Sequence, residues 1–360
     1  MNAAFPSPDL LAPIVKANGL AYVVLGRPSL ELAASWLDDF GLDHLSGDAD
    51  HAWFGNAARG SSFYLVQRTR KPGFVGFAVT VAHRDDLQRL VDEGLSEAIG
   101  EDLTPARRPC VRLRDPNGFE VHVVVQEAPD DAASVLPPRN LPGRIARIDS
   151  PVRDVRAPRV ARLGHVVLET LAFHEAVDWY RRTLGVLVTD YQHLPDGRPV
   201  VAFCRFDRGD APTDHHSIAI GQGFHPGLEH LSFELDDVDA VARGHAAMQR
   251  GGWRHVWGIG RHIMGSQVFD YWNDPWGAKH EHYADGDLVT RAFPTGRSPF
   301  GPQYIAQWGP RMPSTFVGGP LTPRLVWRAL RSVLTGAVPL QTLASLVHAA
   351  KVGPRDEVAS

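Results

Sequence analysis

Apolar and polar residues alternate through LGHVVLE (163–169), a strand period. From 172 to 184 (AFHEAVDWYRRTL) the apolar positions recur at helical spacing, and Gly185 supplies the stop. Two strands are expected around the turn Pro195-Asp196-Gly197. The pattern then restarts. HHSIAI (215–220) and LEHLSFEL (228–235) read as strands, and a helix is predicted from about Val238 to Arg250. Gly251-Gly252 breaks it, and strands are expected over 266–272 and 279–284.

The first half of the chain looks like a worn copy of the second. LAYVVL (20–25) matches LGHVVL (163–168), and GFVGFAVTV (73–81) matches GLEHLSFEL (227–235). RLRDPNGFEVHV (112–123) likewise matches FDYWNDPWGAKHEHY (269–283). This pairing sets Tyr22 opposite His165, Gly76 opposite His230 and His122 opposite Glu281. A Pro- and Arg-rich stretch from Pro137 to Pro158 lies between the copies and reads as a linker. The expected division is a degenerate domain over 1–145, a linker over 146–160, a working domain over 161–290 and an extension over 291–360.

Composition narrows the partners. With 360 residues and 44% apolar side chains, two domains of ordinary size can each bury a core. Lys and Arg number 37 against 41 Asp and Glu, without long runs of one sign, so no surface for nucleic acid or anionic lipid is expected. No stretch approaches the roughly 20 apolar residues of a membrane span. Cys110 and Cys204 are too few for a disulfide framework, and the start MNAAFPSPDLLAPIVKANG has neither a basic opening nor a signal-length apolar run. A cytoplasmic protein with a small-molecule partner is the expectation.

Histidine locates the chemistry. Twelve of the seventeen lie between His165 and His282. His165, His230 and Glu281, on three different strands, would form a facial triad that leaves the opposite face of a six-coordinate metal free. Their spacing alone is not diagnostic, because the residues are scattered. The worn copy adds weight, since a framework histidine would be expected in both halves. Strand alternation sends His280 and His282 to the face opposite Glu281, so one set only can see the metal. Glu169 and Glu234 share strand faces with His165 and His230 and stay open as rival carboxylates. Trp179, Tyr180 and Trp272 read as core; Trp253, Trp257 and Phe203 are pocket candidates, with packing the commoner role for such rings.

The runs LGHVVL, DHHSIAI, LEHLSFEL, GRHIMGSQVFDYW and DPWGAKHEHY resemble the type I extradiol ring-cleavage dioxygenases of the vicinal oxygen chelate superfamily, over roughly residues 160 to 290. The resemblance implies an α+β fold of two such domains, each with two βαβββ modules forming an incomplete barrel, plus a C-terminal helical tail. It also implies Fe(II), or alternatively Mn(II), on His165, His230 and Glu281. His216 would handle protons, with His215 as its rival, while His262 and Tyr271 would hydrogen-bond a catechol-type substrate that reacts with O2. Resemblance further suggests that YIAQWGPRMPSTF (304–316) folds across the site mouth as a lid. The stretch 322–351 looks helical in two pieces, and could serve the contacts of an expected homo-oligomer. Two alternatives on the same fold are a glyoxalase-like isomerase or lyase, which would use a second glutamate, and a non-catalytic protein that binds aromatic ligands.

Overall fold

The structure is a computed structural model that describes residues 12–104, 106–126, 136, 138–316, 327, 330, 331 and 333–335. The chain runs strand, helix, strands four times. The first pass is β1 (Ala17–Arg27), α1 (Leu30–Asp39), β2 (Asp43–Gly47), β3 (His51–Asn56) and β4 (Ser61–Arg68). The second is β5 (Gly73–Val81), α2 (Arg84–Asp92), β6 (Gly100–Glu101), β7 (Pro109–Arg114) and β8 (Glu120–Val125). The third comprises β9 (Arg162–Thr170), α3 (Phe173–Leu184), β10 (Leu187–His193), β11 (Pro199–Arg205), β12 (Thr213–Asp214) and β13 (Ile218–Gln222). The fourth comprises β14 (Gly227–Glu234), α4 (Val238–Arg250), β15 (Arg254–His262), β16 (Val268–Asn273) and β17 (Lys279–Ala284). Short strands β18 (Leu288–Val289), β19 (Gly296–Pro299) and β20 (Ala306–Trp308) follow. The α+β class and the repeated module are those read from the sequence. Among the described residues no helix is long and apolar enough to cross a membrane.

The modules assemble into two mixed sheets, ordered β2-β3-β4-β1-β5-β8-β7-β6 and β19-β10-β11-β13-β9-β14-β17-β16-β15-β20. At the centre of each, the opening strands of two modules pair antiparallel, β1 with β5 and β9 with β14. Local signals set the helices. Asp237 caps α4 by accepting from the Ala240 amide, and Gly185, at φ 69, ends α3 in the left-handed conformation that glycine adopts without strain. Two expectations need correction. The strand expected at 215–220 begins only at Ile218, so His215 and His216 occupy the loop before it. β15 was not anticipated, because the glycines of WGIGRH interrupt the apolar alternation on which a strand is recognised.

The two halves lock together reciprocally. In each, an Asp-Pro-X-Gly turn carries an aspartate whose Oδ1 accepts two nearby backbone amides, those of Asn117 and Phe119 for Asp115 and of Trp276 and Ala278 for Asp274. The other oxygen of each reaches across the chain. Asp115 accepts the Tyr180 hydroxyl at 2.9 Å, and Asp274 pairs with the Arg27 guanidinium at 2.7 and 2.8 Å. Trp36 adds an indole hydrogen bond to the Asn273 carbonyl. The side chains of Arg27 and Asp274 are each only 3% exposed, so truncating either would strand a buried charge. Arg27→Ala should therefore cost about 3 kcal/mol or more of unfolding free energy in denaturant titrations. A loss below about 1 kcal/mol would show that the pair does not hold the halves together.

Candidate metal centre

Strand register builds the site. His165 on β9 stands opposite Ser232 on β14, Ser232 opposite Glu281 on β17, and Glu281 opposite Tyr271 on β16. Directly paired residues point to the same face of a sheet, and His230, two positions before Ser232, shares that face. His165 Nε2 lies 3.2 Å from His230 Nε2 and 3.1 Å from Glu281 Oε2, and His230 Nε2 is 3.6 Å from the same oxygen. The alternating His280 and His282 face the other way, into the seam with the first half. There His280 Nε2 meets the Tyr64 hydroxyl at 2.9 Å and His282 Nε2 donates to the Phe40 carbonyl at 2.7 Å.

The same register places the counterparts of the triad in the first copy. Tyr22 pairs with Ala78 and Ala78 with His122, the counterparts of His165, Ser232 and Glu281. Tyr22 and His122 close on each other through a 2.9 Å hydrogen bond. Gly76, the counterpart of His230, has no room for any side chain, since a Cβ there would come within 2.0 Å of the Glu120 carbonyl oxygen.

The remaining sequence candidates converge on the triad. His262, at the end of β15, places Nε2 3.4 Å from Glu281 Oε1 and 2.9 Å from the Tyr271 hydroxyl. Its Nδ1 faces the Ile305 carbonyl at 3.2 Å, and a carbonyl can only accept. His216 lies on the other flank, its ring centroid 4.3 Å from that of His165. His215 Nε2 donates to Asp190 Oδ2 at 2.6 Å, and its Nδ1 meets His216 Nδ1 at 3.1 Å. Burial holds His216 well below its ordinary range and so neutral, and with Nδ1 donating to His215 the lone pair of its Nε2 stays free. Asp190, His215 and His216 thus form an orienting chain in which His215 stands behind its neighbour.

Electrostatics suit metal ligation. Burial pushes His165 below its ordinary range and His230 down to about 4, which keeps both imidazoles neutral. Burial alone would raise Glu281, but His165 and His262 outweigh it and hold the carboxyl well below the usual range. Tyr271 is pushed well above its ordinary value, by burial first and by Glu281 second, and stays a donor. Glu281 is fully buried, and neither of its oxygens has a partner at hydrogen-bonding geometry among the described residues. Two imidazoles that burial keeps neutral, with one ionised carboxylate between them, are a fitting donor set for a divalent cation.

Rival readings resolve by position. Glu234 pairs with Arg162, and Glu169 is packed against Gly223, both apart from the triad. Tyr180 and Trp272 are fully buried, and Trp179 packs on the same core. Trp253 hydrogen-bonds Asp39 and lines no part of the site, whereas Trp257 stacks parallel to Tyr271 and Phe203 meets His216 edge-on. Tail residues also arrive. The Phe316 ring lies 4.9 Å from that of Tyr271, and Trp257 donates to the Pro310 carbonyl at 2.7 Å. Most of the helical stretch expected at 322–351 lies outside the described residues.

Glu229 was missed from the sequence. Alternation sends it away from His230, yet a bulge between Leu228 and His230 turns it back, and its carboxylate binds both His230 Nδ1 and Lys279 Nζ. Lys279 also donates to the Phe316 carbonyl at 2.6 Å. A carboxylate behind a ligating imidazole fixes the ring and raises its basicity. A charged residue beside a histidine in a strand was the available signal, and it was too common to use.

Such a site on paired βαβββ modules defines a metalloprotein of the vicinal oxygen chelate type. The family described as Glyoxalase/Bleomycin resistance protein/Dioxygenase superfamily matches residues 162–281. Metapyrocatechase 2 of Cupriavidus necator is 30% identical over 309 residues, 83% of this chain and 91% of that protein. An extradiol ring-cleaving dioxygenase from B. fuscum superposes with a TM-score of 0.66 at 17% identity, over 88% of this chain and 85% of that one. The Mn(II)-bound glyoxalase of Novosphingobium aromaticivorans superposes at 0.68 with 22% identity, over 85% and 96%. The chain belongs to this superfamily, in its extradiol dioxygenase branch.

His165→Ala and Glu281→Gln should each abolish the bound metal measured by elemental analysis. Both metal-free variants should keep a cooperative melting transition, because ligands carried on preformed strands do not hold the fold together as a structural zinc does. A large drop in Tm would mean that the carboxylate has a structural partner.

Proposed function

We propose that the chain cleaves catechol-type diols beside the hydroxyl pair with O2, using Fe(II), or Mn(II) in its place, held by His165, His230 and Glu281. The observation that carries this reading is the buried triad flanked on one side by the His262–Tyr271 pair and on the other by His216. The site offers one carboxylate where an isomerase with a second glutamate ligand would need two. In this reading residues 161–290 work, 1–145 are the metal-free copy, and 304–316 cover the mouth.

When bound, the metal would lower the pKa of a coordinated hydroxyl and hold diol and O2 as neighbours. The protein does the rest. His216 Nε2, oriented by His215 and Asp190, takes the substrate proton and returns it to the developing oxygen charge. Tyr271 and His262 hydrogen-bond the substrate oxygens, which distinguishes a diol from a phenol. Trp257 and Phe316 supply an apolar wall beside Tyr271 and keep water from the ring. Both atoms of O2 end in a ring-opened semialdehyde-type acid.

Oxygen uptake with a catechol and with its mono-methyl ether, in iron-loaded protein, tests the reading. Uptake is expected with the catechol alone, and equal handling of the two would defeat it. His216→Ala should keep metal and bind catechol, yet lose on the order of 10²-fold or more in turnover. Tyr271→Phe should weaken catechol binding by roughly 1 to 2 kcal/mol in calorimetric titration, with the metal retained. Undiminished turnover in His216→Ala would remove that residue from the chemistry.

A further inference from the structure

On the far face of β16 from Tyr271, a second set of metal-binding side chains converges. His245 comes from α4, His255 from β15 and Asp270 from β16. His245 Nδ1 is 3.0 Å from Asp270 Oδ2, and His255 Nε2 is 2.8 Å from Oδ1. The two imidazoles meet edge-on, their centroids 4.9 Å apart. One potential ligand atom from each of the three residues lies within 4.8 Å of the others. We propose that these residues form a second cation site, of the zinc class, separate from the iron centre.

Three arguments carry it. The donor set of two imidazole nitrogens and one carboxylate oxygen suits a borderline-soft divalent ion such as Zn²⁺ and is poor for Ca²⁺ or Mg²⁺, which take oxygen ligands. Ligand atoms on one tetrahedral zinc, each about 2.0 to 2.1 Å from it, stand roughly 3.3 Å apart, so small side-chain movements would admit the ion in place of the two imidazole protons. Accessibility is also graded suitably. The Asp270 side chain is 0% exposed and anchored from within by the Trp272 indole at 2.6 Å, while His245 and His255 are 22% and 34% exposed, leaving a path for the ion and for a water as fourth ligand. The iron centre, by contrast, has its three side chains at 10% exposure or less.

An ion there would tie α4 to the strand pair whose other face and end present Tyr271 and His262. Full-length protein carrying His165→Ala and Glu281→Gln, which removes two ligands of the first centre, provides the test when titrated calorimetrically with Zn²⁺. About one equivalent should bind. Adding His255→Gln, a mild change at the most exposed of the three positions, should weaken that binding at least about tenfold while the melting curve without zinc stays in place. Absence of zinc binding in the first variant, or unchanged affinity after His255→Gln, would overturn the proposal.

Discussion

A carboxylate with no access to water sets the terms for this protein. Glu281 sits at the centre of a sheet, where burying its charge carries a desolvation cost that the neighbouring imidazoles have to offset. Folding has to bear that cost before any ligand arrives. The neighbouring strands can do so because the site hangs on backbone pairing: His165, Ser232, Glu281 and Tyr271 are successive partners in one register. A slip of one residue in any of these strands would turn its contribution to the other face and break the set.

Behind the ligand strand, the worn half serves as backing. His280 and His282 flank Glu281 in sequence, and both are held from behind by groups of the first half, Tyr64 and the Phe40 carbonyl. The reciprocal aspartate turns fix the same seam at its ends. The first half thus has a positioning task, in which its residues hold from behind the strand that carries Glu281.

Much of this was legible in the chain. The helix at Val238–Arg250 and the pairing of copies rest on local chemistry, a cap and a period, which need no tertiary context. The equivalence of Tyr22, Gly76 and His122 with the triad followed from counting, and the register reproduces it. What escaped depended on departures from regularity. β15 hid behind its glycines, Glu229 reaches His230 only because a bulge breaks alternation, and the placement of His215 between Asp190 and His216 involves a residue distant in sequence.

Gly76 limits what the first half can hold. Duplicated halves are often imagined as interchangeable, each able to regain what the other kept. Here a side chain at position 76 would collide with the backbone carbonyl of the adjoining strand, and no rotamer can relieve a contact made by Cβ itself. Histidines at 22 and 76 with a glutamate at 122 would therefore not build a matching triad in the first half while these strands keep their spacing. Backbone spacing alone sets this limit, so the two halves of one repeated architecture are not interchangeable as hosts for an ion.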